Sequence, residues 1–473
     1  MSDSRADLIS SRPIRPGWEL ALVLGGTLVA LVLVLQPAFL AVAAAGLLLA
    51  VAAFQFDFFM YAMVVIMPWY PLLDEHLPVT DIMLILRFVM FAGIWLRFVR
   101  SKRSIPEWLW GTKLKKAVLL FAVITIASLL FSNLRTNLES YRAFRRLFGY
   151  LLVFYAMLGW LNGKDRLRNV VQASLFSLIV VALFGFAQFL SGEYTDFYMR
   201  LYPFQEGAME PWAGRITSFL YHYNSLAGYL NLVLPFGLGA MIAARDNGLK
   251  ATGFLALSLG AAALSLTGSR GGMLAAIGVL VLAAWKLVPR RVNFFWILAA
   301  VVVAVGVVLL LHQGATSAQG DTAIERLQGV DDFTQLSRFA LWGAAVLMFR
   351  SNMLIGAGYG NFRYLYNDYI PAIPGGQLDA HNLYLQLLAE TGLIGFLAFF
   401  LMLNGFFRRG YVLARVNDPV YQMVGIGVCG AIIAFLIHGL ADFLFIVSPQ
   451  FGAMFWTVLA LGLYAYDDYL GKH

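Results

Sequence analysis

The feature that most constrains this chain is a series of long apolar runs that follow one another with short polar gaps from about residue 18 to residue 466. Each run is close to the roughly 20 residues needed to cross the hydrocarbon core of a bilayer as a helix. Inside lipid every backbone donor and acceptor must be satisfied within the segment, which leaves helices or a closed barrel. The runs are continuous rather than alternating, and that pattern selects helices. Composition agrees. The 473 residues are 60% hydrophobic and 13% charged, against about 45–50% and 25% in a soluble domain.

Spans are predicted near 18–35, 38–55, 58–72, 83–99, 116–131, 147–162, 169–190, 223–243, 251–266, 271–288, 294–311, 383–404, 420–440 and 449–466. That is about fourteen, or twelve if two closely spaced pairs are re-entrant. The expected fold is an all-α polytopic transmembrane bundle forming one integral membrane domain over 1–473, with a large outward loop at 312–382. Within that loop, 337–350 has helical apolar spacing. The run from Leu20 to Leu35, preceded by Arg5, Arg12 and Arg15, reads as a retained span rather than a cleaved signal.

The net charge of +8 belongs to short loops, so it reports topology and not nucleic acid. Lys113, Lys115, Lys116, Lys164, Arg166, Arg168, Lys286, Arg290, Arg291, Arg408, Arg409 and Arg415 fall on one side. Asp74, Glu75 and Asp81 fall on the other. Both termini are then expected in the cytoplasm. The lone Cys429 sits in an apolar run and reads as packing. No zinc, P-loop or HExxH pattern is present, and no metal or other cofactor is expected.

The polar residues outside the basic loops gather on the opposite face. They are Gly214-Arg215-Ile216-Thr217-Ser218, Tyr221-His222-Tyr223-Asn224, Thr267-Gly268-Ser269-Arg270-Gly271-Gly272 and Asp379-Ala380-His381-Asn382. Each precedes a span running inward, so each marks a helix N-terminus, where free N–H groups and the macrodipole favour anions. Asn224 and Asn382 suit N-caps. Arg215 and Arg270 carry guanidinium forks that match phosphate oxygens, and His381 can exchange a proton near neutrality. Two arginines, helix N-termini and one histidine describe a site for a diphosphate leaving group and a base for an incoming hydroxyl. The competing reading makes the arginines lipid-headgroup contacts and His381 a cap. His222 and His438 read as structural. Arg142, Arg145 and Arg146 share a helix face that suits headgroups or substrate. Gly356-Ala357-Gly358-Tyr359-Gly360 reads as a turn.

These same blocks resemble a known family. Gly214-Arg215 with Tyr221–Leu230, Leu266–Gly272, Arg338–Trp342 with Leu354–Phe362, and above all His381-Asn382-Leu383-Tyr384-Leu385-Gln386-Leu387-Leu388-Ala389-Glu390-Thr391-Gly392 look like motifs of the bacterial O-antigen ligase and O-antigen or exopolysaccharide polymerase superfamily. The resemblance covers roughly 214–395. It implies a multi-span glycosyltransferase of the bacterial inner membrane that moves a glycan from undecaprenyl diphosphate to an acceptor hydroxyl at the periplasmic face, with inversion and without metal. It implies that Arg215 and Arg270 hold the diphosphate and that His381 activates the acceptor. Asn224, Ser269, Asn382, Arg338, Arg142 and Arg146 are further candidate substrate contacts. The acceptor would be another lipid-linked glycan in a polymerase, or lipid A–core in a ligase, and polymerase is placed slightly ahead. A chain-length regulator is a candidate partner. A lipid-linked oligosaccharide flippase is the alternative, for which Arg87, His438 and Asp442 are the ionisable residues in or near spans. A non-catalytic scaffold would leave the shared position of the polar clusters unexplained.

Overall fold

In a computed structural model, the described residues are 51–52, 55–69, 82–101, 105–131, 138–192, 214–220, 222–282, 332–370, 378–444 and 448–472. The expected spans near 18–35 and 294–311, most of that near 38–55, and the acidic stretch 74–81 lie outside them. The described residues fold as helices: α1 (Phe56–Ile66, continued by a 3-10 turn, Met67–Trp69), α2 (Ile82–Ser101), α3 (Ile105–Trp110), α4 (Lys113–Phe131), α5 (Leu138–Trp160), α6 (Gly163–Ser191), α7 (Tyr223–Ala243), α8 (Asn247–Leu266), α9 (Arg270–Leu282), α10 (Asp332–Ser351), α11 (Phe362–Tyr369), α12 (Leu383–Leu413), α13 (Pro419–His438) and α14 (Pro449–Leu470). Among them α6, α7, α8, α12 and α13 are each long and apolar enough to cross a membrane. This is the all-α polytopic membrane architecture expected from the apolar runs.

The bundle is organised around α7 and α13, the most extensively packed pair, with α8 against α7, α9 and α12 against α13, and α14 against α5. Close approach depends on small residues, as is usual where lipid removes the hydrophobic drive between helices. A Cβ on Gly253 would lie 2.8 Å from the carbonyl oxygen of Gly237, so α7 and α8 touch backbone to backbone there.

Ion pairs mark one end of the bundle. Arg166 pairs with Asp57 at 2.8 Å, Arg168 with Asp246 at 2.6 Å, and Lys164 with Asp418. These join the start of α6 to the start of α1, the α7–α8 turn and the α12–α13 turn. At 1.5 Å per residue, α6 then runs about 40 Å to the other end. There the side-chain oxygen of Gln188 accepts from the backbone N–H groups of Thr217 (2.9 Å) and Ser218 (3.0 Å). The Lys/Arg-rich end and the end bearing the polar clusters are thus opposite ends of the same helices.

Two local structures differ from the sequence reading. Residues 138–146, ahead of the span expected near 147–162, are the first turns of α5, so Arg142, Arg145 and Arg146 stand on a helix continuous with its apolar part. The α12 helix is broken inside. Gly392 takes φ 63° and ψ −170°, and the segment after α10 docks into the break. The N–H groups of Ala357 and Gly358 donate to the carbonyls of Ala389 and Glu390, and those of Leu393 and Ile394 donate to Met353 and Leu354. A Cβ at Gly356 or Gly392 would fall 2.4 Å from backbone of the other segment. Both glycines have positive φ, so only glycine permits this contact. Within residues 312–382, α10 buries Leu341, Ala344, Ala345 and Met348 against α11 and α12.

Candidate functional site

Three helices, α7, α9 and α12, begin together at the end opposite the basic loops. The start of α12 is capped by Asn382, whose side-chain oxygen accepts from the N–H groups of Tyr384 and Leu385 at 3.0 Å. Its amide nitrogen donates to Leu440 O, and Leu383 N–H donates to Gly439 O, which ties this helix start to the end of α13. The expected cap role of Asn382 therefore holds. That of Asn224 does not. The N-cap of α7 is His222, whose Nδ1 accepts from Asn224 N–H at 3.0 Å. Asn224 is the second residue of the helix, and its amide reaches the neighbouring helix ends.

Asn224 there joins separate parts of the chain. Its Nδ2 donates to Asp442 Oδ2 at 2.7 Å, and its Oδ1 accepts from Ser269 Oγ at 2.7 Å. Ser269 Oγ in turn accepts from Gly272 N–H at 3.2 Å, closing the first turn of α9 directly behind Arg270. On the other side of Asp442, Oδ1 lies 3.2 Å from His381 Nδ1 and accepts from Phe443 N–H at 2.8 Å. His381, Asp442, Asn224 and Ser269 thus form one continuous polar chain.

The chain is largely withdrawn from solvent. Asp442 is 7% exposed, Asn224 8% and Ser269 2%, while the His381 side chain is 32% exposed. His381 also has φ 47°, an uncommon backbone conformation for a residue with a Cβ, of the kind that clusters at functional sites. Burial alone would lower the His381 imidazole pKa. The hydrogen bond to Asp442 and the charges of Asp442 and Asp379 outweigh it, against Arg338, and the pKa is raised above the ordinary value. Burial alone would raise the Asp442 carboxyl. The His381 hydrogen bond, with the charges of His381, His438 and His222, holds it well below the usual carboxylate range. His222, by contrast, is pushed down to about 4, chiefly by burial, and is neutral near pH 7.

Arg215 stacks its guanidinium over the Tyr223 ring at 4.4 Å. A Cβ added at Gly268 would fall 3.2 Å from its Nε, so Arg215 lies directly on the turn that carries Arg270. Arg270 is exposed, and its neighbour Gly271 abuts Ala441 and His438. Arg338 acts on His381 from α10. Asp379 is held by Arg363 at 2.7 Å and by Gln386 at 3.0 Å. Arg215, Asn224, Ser269, Arg270, Arg338, His381 and Asn382 are therefore brought to one end of the bundle. Arg142 and Arg146 stand on the first turns of α5, where Arg146 acts on Tyr359 of the segment docked into the α12 break.

Asp442 is the residue that sequence reasoning weighed only as a transporter group. It stands in no block that resembled a family. The available signal was its place just past a span end on the same face as His381. The arrangement can do two things chemically. A carboxylate on Nδ1 fixes that nitrogen as the proton-bearing one and leaves Nε2 as a base. Guanidinium and helix N-terminal donors can receive an anion beside it.

No curated protein is a significant match to the chain. Residues 254–400 match the family model described as O-antigen ligase, a stretch that includes Arg270, Arg338 and His381. That match supports a glycosyltransferase of the O-antigen ligase and polymerase type.

Proposed function

We propose that this protein transfers a glycan from a polyprenyl diphosphate, undecaprenyl diphosphate in bacteria, to an acceptor hydroxyl, and that it does so on the periplasmic face of the inner membrane with both termini in the cytoplasm. The observation that carries the proposal is the His381–Asp442 contact joined through Asn224 and Ser269 to the turn bearing Arg270.

In the proposed reaction, His381 Nε2 takes the proton of the acceptor hydroxyl while Asp442 holds the Nδ1 proton and stabilises the imidazolium that forms. The acceptor oxygen bonds to the anomeric carbon as the bond from that carbon to the diphosphate oxygen breaks. The bonding pair leaves on the diphosphate, and a single displacement inverts the anomeric centre. Arg215 and Arg270 meet the growing negative charge, which is the largest catalytic contribution in such a site. Arg215 is held by its stack on Tyr223, and Arg270 by the Ser269–Asn224 bond at the start of α9. The periplasmic assignment is supported by the position of these residues at the end away from the Lys/Arg-rich loops. The acceptor is a sugar hydroxyl, carried on a second lipid-linked glycan or on lipid A–core.

The test is a reaction with purified protein in detergent, supplied with polyprenyl-diphosphate-linked glycan and each acceptor in turn. A transferase releases polyprenyl diphosphate and forms a new linkage of inverted configuration without a sealed compartment. A flippase forms no product under these conditions.

A further inference from the structure

Two described residues other than glycine have positive φ, Ser218 and His381. A residue with a Cβ keeps that conformation only where its surroundings over-determine it. On the C-terminal side of His381, Asn382 caps α12 and is tied to Leu440 O. The N-terminal side is held by side chains with no part in the proton transfer. The Ala380 N–H donates to Gln386 Oε1 at 2.9 Å, and the Ala380 carbonyl accepts from Trp342 Nε1 at 2.9 Å. Those two groups belong to the two successive peptide planes that lead into His381.

Gln386 lies in the first turn of α12 and is fully buried. Both ends of its amide are engaged. Nε2 donates to Asp379 Oδ1 at 3.0 Å and to Glu390 Oε1 at 3.2 Å, while Oε1 receives the Ala380 N–H. Turning the amide over would set its oxygen against two carboxyl oxygens and its NH2 against an N–H, so its orientation is fixed. Both carboxyl groups are anchored in turn. Asp379 Oδ2 pairs with Arg363 of α11 at 2.7 Å, and Glu390 Oε1 also accepts from Phe362 N–H, at the start of α11, at 3.3 Å. Trp342 comes from α10, whose buried face packs on α11 and α12. Three helices thus converge on residues 379–381 by contacts separate from the one to Asp442.

We infer that Gln386 and Trp342 are positioning residues for His381: they fix the peptide planes on either side of Ala380 and lock His381 in the backbone conformation from which its Nδ1 meets Asp442. This rests on His381 as the base, given under Proposed function. Each acts through the backbone rather than on the reacting atoms. Loosening either peptide lets the His381 backbone relax and swings the imbalanced ring away from Asp442 and from the acceptor, and a misplacement of about 1 Å is enough to cost roughly 100-fold in rate. The same contacts give α10 and α11 a role at the site, which is to hold the base.

The experiment measures transfer by the full chain in detergent, with polyprenyl-diphosphate-linked glycan as donor and the acceptor that the wild-type protein uses, for Gln386→Met and Trp342→Phe. Methionine keeps the length of the side chain without the amide, and phenylalanine keeps a ring without the N–H. Referring kcat to the fraction of each preparation that binds polyprenyl diphosphate removes any loss of folded protein. Gln386→Met should lower kcat roughly 10- to 100-fold and Trp342→Phe roughly 3- to 10-fold, with KM for the donor within about threefold because Arg215 and Arg270 are carried by other segments. In both variants the midpoint of the kcat–pH profile should fall below that of wild type, since the displaced imidazole loses Asp442 while burial, Asp379, Arg338 and His222 still act on it. A purely structural weakening would lower the melting temperature and leave that midpoint in place. Wild-type kcat in Gln386→Met overturns the assignment and leaves the enzyme reading standing. A loss carried by KM alone, or a fall in kcat with the midpoint unmoved, overturns it as well. If Gln386→Met yields no protein that binds polyprenyl diphosphate, Trp342→Phe decides by the same criteria. Wild-type transfer by His381→Ala, or none by the wild-type protein, defeats the reading under Proposed function instead.

Discussion

Asp442 Oδ1 lies 3.2 Å from His381 Nδ1, a contact between the end of α13 and the start of α12 across 61 positions of sequence. The same carboxylate accepts from Asn224 through its other oxygen, so it holds the imidazole and the α7–α9 junction at once. Removing it should do more than change a charge. Asp442→Asn should lower kcat by roughly 10²–10⁴-fold, because the imidazole loses the partner that fixes its tautomer. Retained membrane insertion and an unchanged oligomeric profile on size exclusion would separate this from unfolding.

The pH dependence follows from the same pair. Transfer needs neutral His381, whose pKa is raised by Asp442 and Asp379. The rate should therefore rise with pH through a midpoint above the ordinary imidazole value. In Asp442→Asn the two raising influences of Asp442 fall away, and burial with Arg338 is left against Asp379 alone. The residual activity should rise with pH at a lower midpoint. His222, pushed down to about 4, should add no limb above about pH 5, and His222→Asn, which keeps a capping acceptor, should leave the midpoint in place.

Asn224→Ala should weaken donor use as well as turnover. It leaves a buried carboxylate oxygen and the Ser269 hydroxyl without their shared partner, a loss of about 1–3 kcal/mol. Because Ser269 closes the first turn of α9, KM for the donor should rise together with a fall in kcat. Asn224→Ala and Ser269→Ala should be strongly non-additive in the double variant, since both break one chain of hydrogen bonds.

Arg215→Lys and Arg270→Lys should each reduce kcat/KM by about 10- to 100-fold, since lysine lacks the planar fork and, at position 215, the stack on Tyr223. Arg142→Lys and Arg146→Lys, on the first turns of α5, should leave kcat within about threefold. Parallel steady-state measurements on the four variants check this.

Gly392→Ala should impair folding rather than chemistry. Its Cβ would meet Leu354 backbone at 2.4 Å with φ at +63°, a cost of about 3 kcal/mol or more. A lower melting temperature in detergent, with residual folded protein retaining its KM, is the expected result.

These predictions divide by what the sequence could reveal. The spans were legible because apolar length in a bilayer leaves the backbone one solution. The gathering of Arg215, Arg270 and His381 at one end of the bundle was legible because polar residues ahead of spans that run the same way share a face, and because their blocks resemble a known family. Asn224 was assigned to a cap because its type suits one, yet His222 takes that place and frees the amide to bridge two other segments. Asp442 was weighed only for transport, since nothing local distinguishes it and its partner arrives from another helix. The break in α12 was hidden for a related reason. Gly392 follows Glu390 and Thr391 within the span expected at 383–404, and only the docking of Gly356 against it shows why the helix opens there.

The most direct test of the central claim is the rate of glycan transfer by purified His381→Ala protein relative to wild type, with polyprenyl diphosphate binding measured on the same preparations. Loss of at least about 10²-fold in kcat with binding retained is the predicted result. Transfer within about threefold of wild type by a folded His381→Ala protein would contradict it.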